Sequence, residues 1–106
     1  MDVGITARHS EIPSSVADRA RERVGALERF EPQATAADII FDLDHGVSRA
    51  EIKLVTAGRT SVAHGSGNTF RAALDEAVER LTRQLRRRHD QRARRHRAAD
   101  SSRETV

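Results

Sequence analysis

The sequence predicts an α+β domain of element order β-α-β-β-β-α, with two helices packed on one face of a four-stranded sheet, related to the double-stranded-RNA-binding-like folds. Three observations predict it. Two stretches, 16–30 and 70–85, repeat apolar residues at helical spacing; four others alternate apolar and polar residues with the period of a strand; and Pro, Gly and Asx clusters separate them. A chain of 106 residues has room for one core.

Val3, Ile5 and Ala7 alternate with Gly4, Thr6 and Arg8, the pattern of a half-buried first strand. Pro13 precedes a helix that Ser15, with Asp18 three residues on, is expected to cap. Val16, Ala20, Val24, Leu27 and Phe30 form its apolar stripe, Arg19, Glu22, Arg23 and Arg29 its polar face, and Pro32 stops it. Ile39, Phe41 and Leu43 point one way along the second strand, Ile40, Asp42 and Asp44 the other. Asp44-His45-Gly46-Val47 signals a turn into a third strand whose inward set is Ala50, Ile52 and Leu54. Thr56-Ala57-Gly58 turns into a fourth strand over 60–64. The short spacings favour an antiparallel meander with its far face open to solvent. Gly65-Ser66-Gly67-Asn68 breaks the chain, Asn68 is expected to cap the next helix, and Phe70, Ala73, Leu74, Ala77, Val78, Leu81 and Leu85 make the strongest helical stripe in the sequence. Beyond Leu85 the stripe stops while helix formers continue to about Arg97. The expected division is a folded domain over 1–90 and, over 91–106, a basic helical extension ending in a frayed tail from Ala98, with nothing to pack against the core.

Composition removes several classes of function. With no cysteine there is no disulfide scaffold, thiolate zinc site or cysteine nucleophile. No apolar run approaches the ~18 residues of a membrane span, and the N-terminus lacks the basic-then-apolar order of a signal peptide, so a cytoplasmic protein is expected. No Ser, His and Asp constellation, phosphate loop or nucleophile elbow is visible; Asp38, Asp42 and Asp44 read as the polar face of a half-exposed strand. His89 and His96 share a helical face, but nothing completes a zinc site around them. The reading is a protein that is not an enzyme, with no cofactor, no metal and no small-molecule substrate.

The charge distribution is the informative feature. Residues 1–79 carry nine basic and thirteen acidic groups, a balance of −4; residues 80–106 carry ten and three, a balance of +7. Arg80, Arg83, Arg87 and Arg94 follow one another at spacings of three, four and seven and so share a helix face, which Arg86, Arg88, Arg95 and Arg97 widen. Asp90 is the single acid over 80–97. Like charges packed this densely oppose the helix unless an anion compensates them, which points to a polyanionic partner. A membrane-surface helix needs large apolar residues opposite its charges, and residues 86–106 offer little but alanine. Phe30, Phe41 and Phe70, the three aromatic residues, all fall on expected core faces, so no base-stacking platform is expected; the pattern favours recognition of RNA backbone and shape.

Three stretches, in order, resemble the ribosome hibernation-promoting factor family, which includes the ribosome-associated translation inhibitors and was formerly labelled as sigma-factor modulation proteins. Ile5-Thr6-Ala7-Arg8-His9-Ser10-Glu11-Ile12 is similar to the family's opening I-T-x-R-H-x-E-I. Arg23-Val24-Gly25-Ala26-Leu27-Glu28-Arg29-Phe30 is similar to K-x-x-K-L-E-[KR]-[YF]. Asn68 to Asp75, running into Arg80-Leu81-Thr82-Arg83-Gln84-Leu85, resembles D-M-Y-x-A-I-D followed by K-L-x-R-Q-L. The resemblance covers residues 1 to about 90. It implies a factor that binds the small ribosomal subunit in the channel of messenger RNA and tRNA, contacts ribosomal RNA through basic helix faces, and blocks initiation by steric occlusion in stationary or stressed cells. It implies RNA-binding roles for Arg8, Arg23, Arg80, Arg83, Arg87 and Arg88. Ala26 stands where the family has a second helix-one lysine, Pro13 where it has Thr, and Asn68-Thr69 where it has Asp-Met. Long members add a C-terminal domain that pairs ribosomes; this chain lacks it, so self-driven ribosome dimerisation is not expected. Two other readings compete: a general double-stranded RNA binder, and a protein-interaction module acting on a transcription factor.

Overall fold

A computed structural model describes the backbone of residues 1–104 and the side chains of residues 1–94. Its elements run β1 (Asp2–Arg8), α1 (Ser14–Gly25) continued by a 3-10 turn (Ala26–Arg29), β2 (Ala34–Asp44), β3 (Val47–Thr56), β4 (Arg59–Gly67) and α2 (Phe70–Glu104). The expected order β-α-β-β-β-α is present. The sheet order is β1-β2-β3-β4. β1 pairs with β2 in parallel, as a strand pair bridged by a helix can, and β2, β3 and β4 form the antiparallel meander.

One sheet face carries the core. Ala37, Ile39 and Phe41 of β2, Ala50, Ile52 and Leu54 of β3 and Ala63 of β4 are buried against Val16, Ala20, Val24 and Leu27 of helix one and Ala73, Leu74, Ala77, Val78, Leu81 and Leu85 of α2. The period-two and period-3.6 patterns of the sequence therefore converge on one layer. Leu43, expected in that set, lies at the hairpin end past the helices and is exposed.

Local chemistry sets the boundaries. His45 (φ 51°) and Gly46 (φ 79°) are both left-handed, the geometry of the tight two-residue turn between β2 and β3. β4 runs on through Gly65, expected to lie in a break. A Cβ there would come within 2.1 Å of the Ala73 carbonyl oxygen and 2.6 Å of the Ala77 nitrogen, so this glycine lets strand and helix backbones touch. Both expected helix caps move by a residue or two. Pro13, not Ser15, flanks α1: its carbonyl accepts from the Val16 and Ala17 amides at 3.0 and 3.2 Å, and no side chain caps the helix. Thr69, not Asn68, caps α2, its Oγ1 accepting from the Ala72 amide at 3.1 Å.

α2 spans 35 residues, about 52 Å at 1.5 Å per residue, and its helical backbone continues past Ala98 to Glu104. Part of the stretch beyond Leu85 does pack. Arg92 donates to the Glu31 carboxylate at 2.9 Å, and that side chain is only 4% exposed. The His89 ring lies edge-on to Phe30, 6.5 Å away. The expectation that nothing there meets the body fails because the loop after helix one reaches out to it. None of the described helices is long and apolar enough to cross a membrane.

Candidate nucleic-acid interface

The arginines expected to bind RNA divide among four surfaces. Arg23 and Arg83 come together across a cleft between helix one and α2, where Arg29, Arg86, Glu79 and Thr82 complete the lining of a space of about 430 Å³. Four guanidinium groups thus face one carboxylate. Among the described residues, Arg29, Arg83 and Arg86 form no ion pair.

Arg23 is partly engaged. Its Nη1 donates to Asp75 at 3.1 Å, while Arg19 grips the same carboxylate through Nε at 2.8 Å and Nη2 at 3.2 Å. The Arg19 hydrogen bonds, reinforced by the charges of both arginines, hold the Asp75 carboxyl below the usual carboxylate range. The same bond raises Arg19 further above its ordinary value. One acid thereby ties α1 to α2 beside the cleft.

Arg80 and Arg88 face a different way. Arg80 donates to the His64 carbonyl at 3.0 Å and pairs with Glu76 at 3.0 Å, Gln84 donates to the Val62 carbonyl at 3.1 Å, and Arg88 donates to the Ser61 hydroxyl at 2.8 Å. These three side chains, four residues apart on α2, run along β4, which lies at the sheet edge. They supply donors to an edge that would otherwise offer free acceptors. Arg87 stays exposed on the outward side of α2.

Arg8 lies across the sheet from the helices. In register with Asp42, it lines a shallow groove with Ile40, Arg49, Glu51 and His64. Next to it His9, at φ 59°, holds the Asp42 carboxylate through Nδ1 at 2.9 Å, and this bond lowers the Asp42 carboxyl. The mixed charges of this groove, Arg8 and Arg49 against Asp42 and Glu51, make it a poorer phosphate site than the cleft.

Arg29 and Arg86 were absent from the expected site. Both flank Phe30, with guanidinium carbons 4.7 and 5.5 Å from its ring centroid. Spacing along α2 alone shows which arginines share its outer face; it does not show that the end of helix one swings Arg29 to meet Arg86. The charged face of helix one, on which Arg23 and Arg29 already stood, was the available signal. Phe30 packs against the core as expected but is only half-buried, as is Phe70. Among the described residues no group of three or more His, Asp or Glu is placed to hold a metal.

The fold has counterparts among known proteins. The chain is 26% identical over 85 residues to the ribosome hibernation promoting factor of Azotobacter vinelandii, covering 80% of this chain and 79% of the relative. The crystal structure of the Thermus thermophilus Protein Y N-terminal domain superposes with a TM-score of 0.72 at 26% identity, over 82% of this chain and 98% of that one. A ribosomal subunit interface protein from Coxiella burnetii shares the fold, with a TM-score of 0.76 at 15% identity over 82% of this chain and 96% of that one. Residues 3–93, which take in the four strands save Asp2, helix one and α2 as far as Ala93, match the model for sigma 54 modulation protein / S30EA ribosomal protein, and the chain belongs to that family.

Proposed function

We propose that this protein is a cytoplasmic ribosome hibernation factor that binds the small ribosomal subunit in the channel of messenger RNA and tRNA and blocks initiation by occupying it. The observation that carries the reading is the cleft in which Arg23, Arg29, Arg83 and Arg86 converge around a single acid. Family membership and the name of the Azotobacter vinelandii relative support the ribosome as its address. Guanidinium forks bind phosphate bidentately and release its counterions. Arg87, exposed on the outward side of α2, extends the cationic surface; Arg80 and Arg88 along the β4 edge and Arg8 on the far sheet face would add only separate, secondary phosphate contacts. Catalysis has no part in this account: the arginines position and neutralise, and inhibition follows from occupied space.

With ~6 phosphates neutralised, affinity for the subunit falls by roughly 10³ between 50 and 200 mM salt. Competition separates this reading from general duplex binding. Excess double-stranded RNA leaves the protein on small subunits if the site is specific to the ribosome; stripping by the duplex at equal phosphate concentration contradicts it. Binding that survives both nuclease and high salt would favour a protein partner instead.

A further inference from the structure

The cleft continues, past Arg29, into a second and chemically different space. This shallow pocket of about 450 Å³ is lined by Arg29, Phe30, Pro32, His89, Arg92 and Ala93. Its floor is the half-buried Phe30 ring, with Pro32 and Ala93 as apolar walls and the His89 ring set edge-on at 72°. Its rim is cationic: Arg29 and Arg92 line it, and the Arg29 and Arg86 guanidinium carbons lie 4.7 and 5.5 Å from the Phe30 ring centroid. No acid lines it. Glu31, between Phe30 and Pro32 in the chain, is buried and held by Arg92. By contrast Phe41 and Phe70 pack on one another at 5.8 Å, and Phe41 is fully buried.

An aromatic and apolar floor within a ring of guanidinium groups matches a planar heteroaromatic ring that carries its own phosphate. Bases stack on aromatic side chains and on guanidinium planes, while the same guanidinium edges hold the phosphate. A paired base inside a duplex presents no free face and cannot enter. A basic peptide is repelled by the rim, and the pocket is too open to enclose an acyl chain. We propose that this pocket takes one unpaired nucleobase of the RNA whose phosphates lie in the adjoining cleft. The inference rests on the RNA reading above and adds to it what is recognised: a nucleotide out of its helix beside a backbone held by arginine.

The test compares two single-stranded probes of equal length and charge: an adenosine hexanucleotide and a hexamer of abasic ribose-phosphate. Each is titrated into the full chain at 50 mM salt and followed by fluorescence anisotropy. The adenosine probe is expected to bind about tenfold more tightly than the abasic one, the scale of one stacked base. Phe30→Leu keeps the apolar volume and removes the ring, and should abolish the difference; its fold is checked by thermal denaturation. The comparison on the unsubstituted protein stands whether or not that variant folds. Equal affinity for the two probes, or a preference that survives Phe30→Leu, overturns the pocket and leaves the cleft standing, provided Arg83→Glu with Arg86→Glu abolishes both. Failure of the adenosine probe to bind overturns the pocket too. If small subunits also fail to bind, the RNA reading falls with it.

Discussion

Asp75 joins the two helices through three hydrogen bonds from two arginines, one of them the cleft's Arg23. Its carboxyl is held below its ordinary value, which fixes the sign of a pH effect. A group whose folded pKa is depressed binds fewer protons folded than unfolded. Its contribution is complete above the unfolded value of about 3.9 and is lost as pH falls through the lower folded value. Asp75→Asn should cost about 1 kcal/mol at pH 7, a figure reduced for the partial exposure of the pair. In urea titrations the gap between the unsubstituted protein and the variant should close as pH drops from about 4 to 2. A gap that stays constant would mean the carboxylate is not preferentially charged in the fold. Asp42, lowered by its bond to His9, adds to the acid sensitivity in the same direction. None of this was legible in the sequence, where Asp75 stands 52 residues from Arg23 and 56 from Arg19. Neither helical periodicity nor charge counting reaches across that distance.

The elements themselves were legible, because each carries its own period. The four strands and two helices follow from alternation and from the 3.6-residue stripe, and the turn from the Asp44-His45-Gly46-Val47 signal, whose His45 and Gly46 prove to be left-handed. Boundaries were less so, since several polar residues in a row can each serve as a cap. At α2 the choice between Asn68 and Thr69 is settled by the Thr69 hydroxyl at 3.1 Å from the Ala72 amide. Thr69→Ala should cost about 1 kcal/mol in thermal or chemical denaturation and Asn68→Ala almost nothing; the reverse ranking would move the cap back by one residue. The docking of α2 beyond Leu85 was hidden for another reason. Its partner, Glu31, is a charged residue that is 3% exposed, and burial of an acid is invisible until the Arg92 that neutralises it is placed beside it.

Over the whole molecule, the sequence showed which residues repel one another, and the fold shows where that repulsion is tolerated. The excess of cations over 80–106 could have formed one uninterrupted stripe. Instead Arg80 and Arg88 turn to the sheet edge, Arg92 turns to Glu31, and Arg83 and Arg86 meet Arg23 and Arg29 from the other helix. Half of the cleft therefore comes from a segment that composition alone marks as part of a mildly acidic body. The central claim, that this converging set of arginines binds the small ribosomal subunit, is most directly tested by sedimentation through sucrose gradients. The protein is run with separated small and large subunits at near-physiological salt, beside the Arg83→Glu, Arg86→Glu variant. The account predicts migration with the small subunit alone, lost in the variant while its melting temperature stays within a few degrees of the unsubstituted protein. Equal migration with both subunits, or a variant that still travels with the small one, would contradict it.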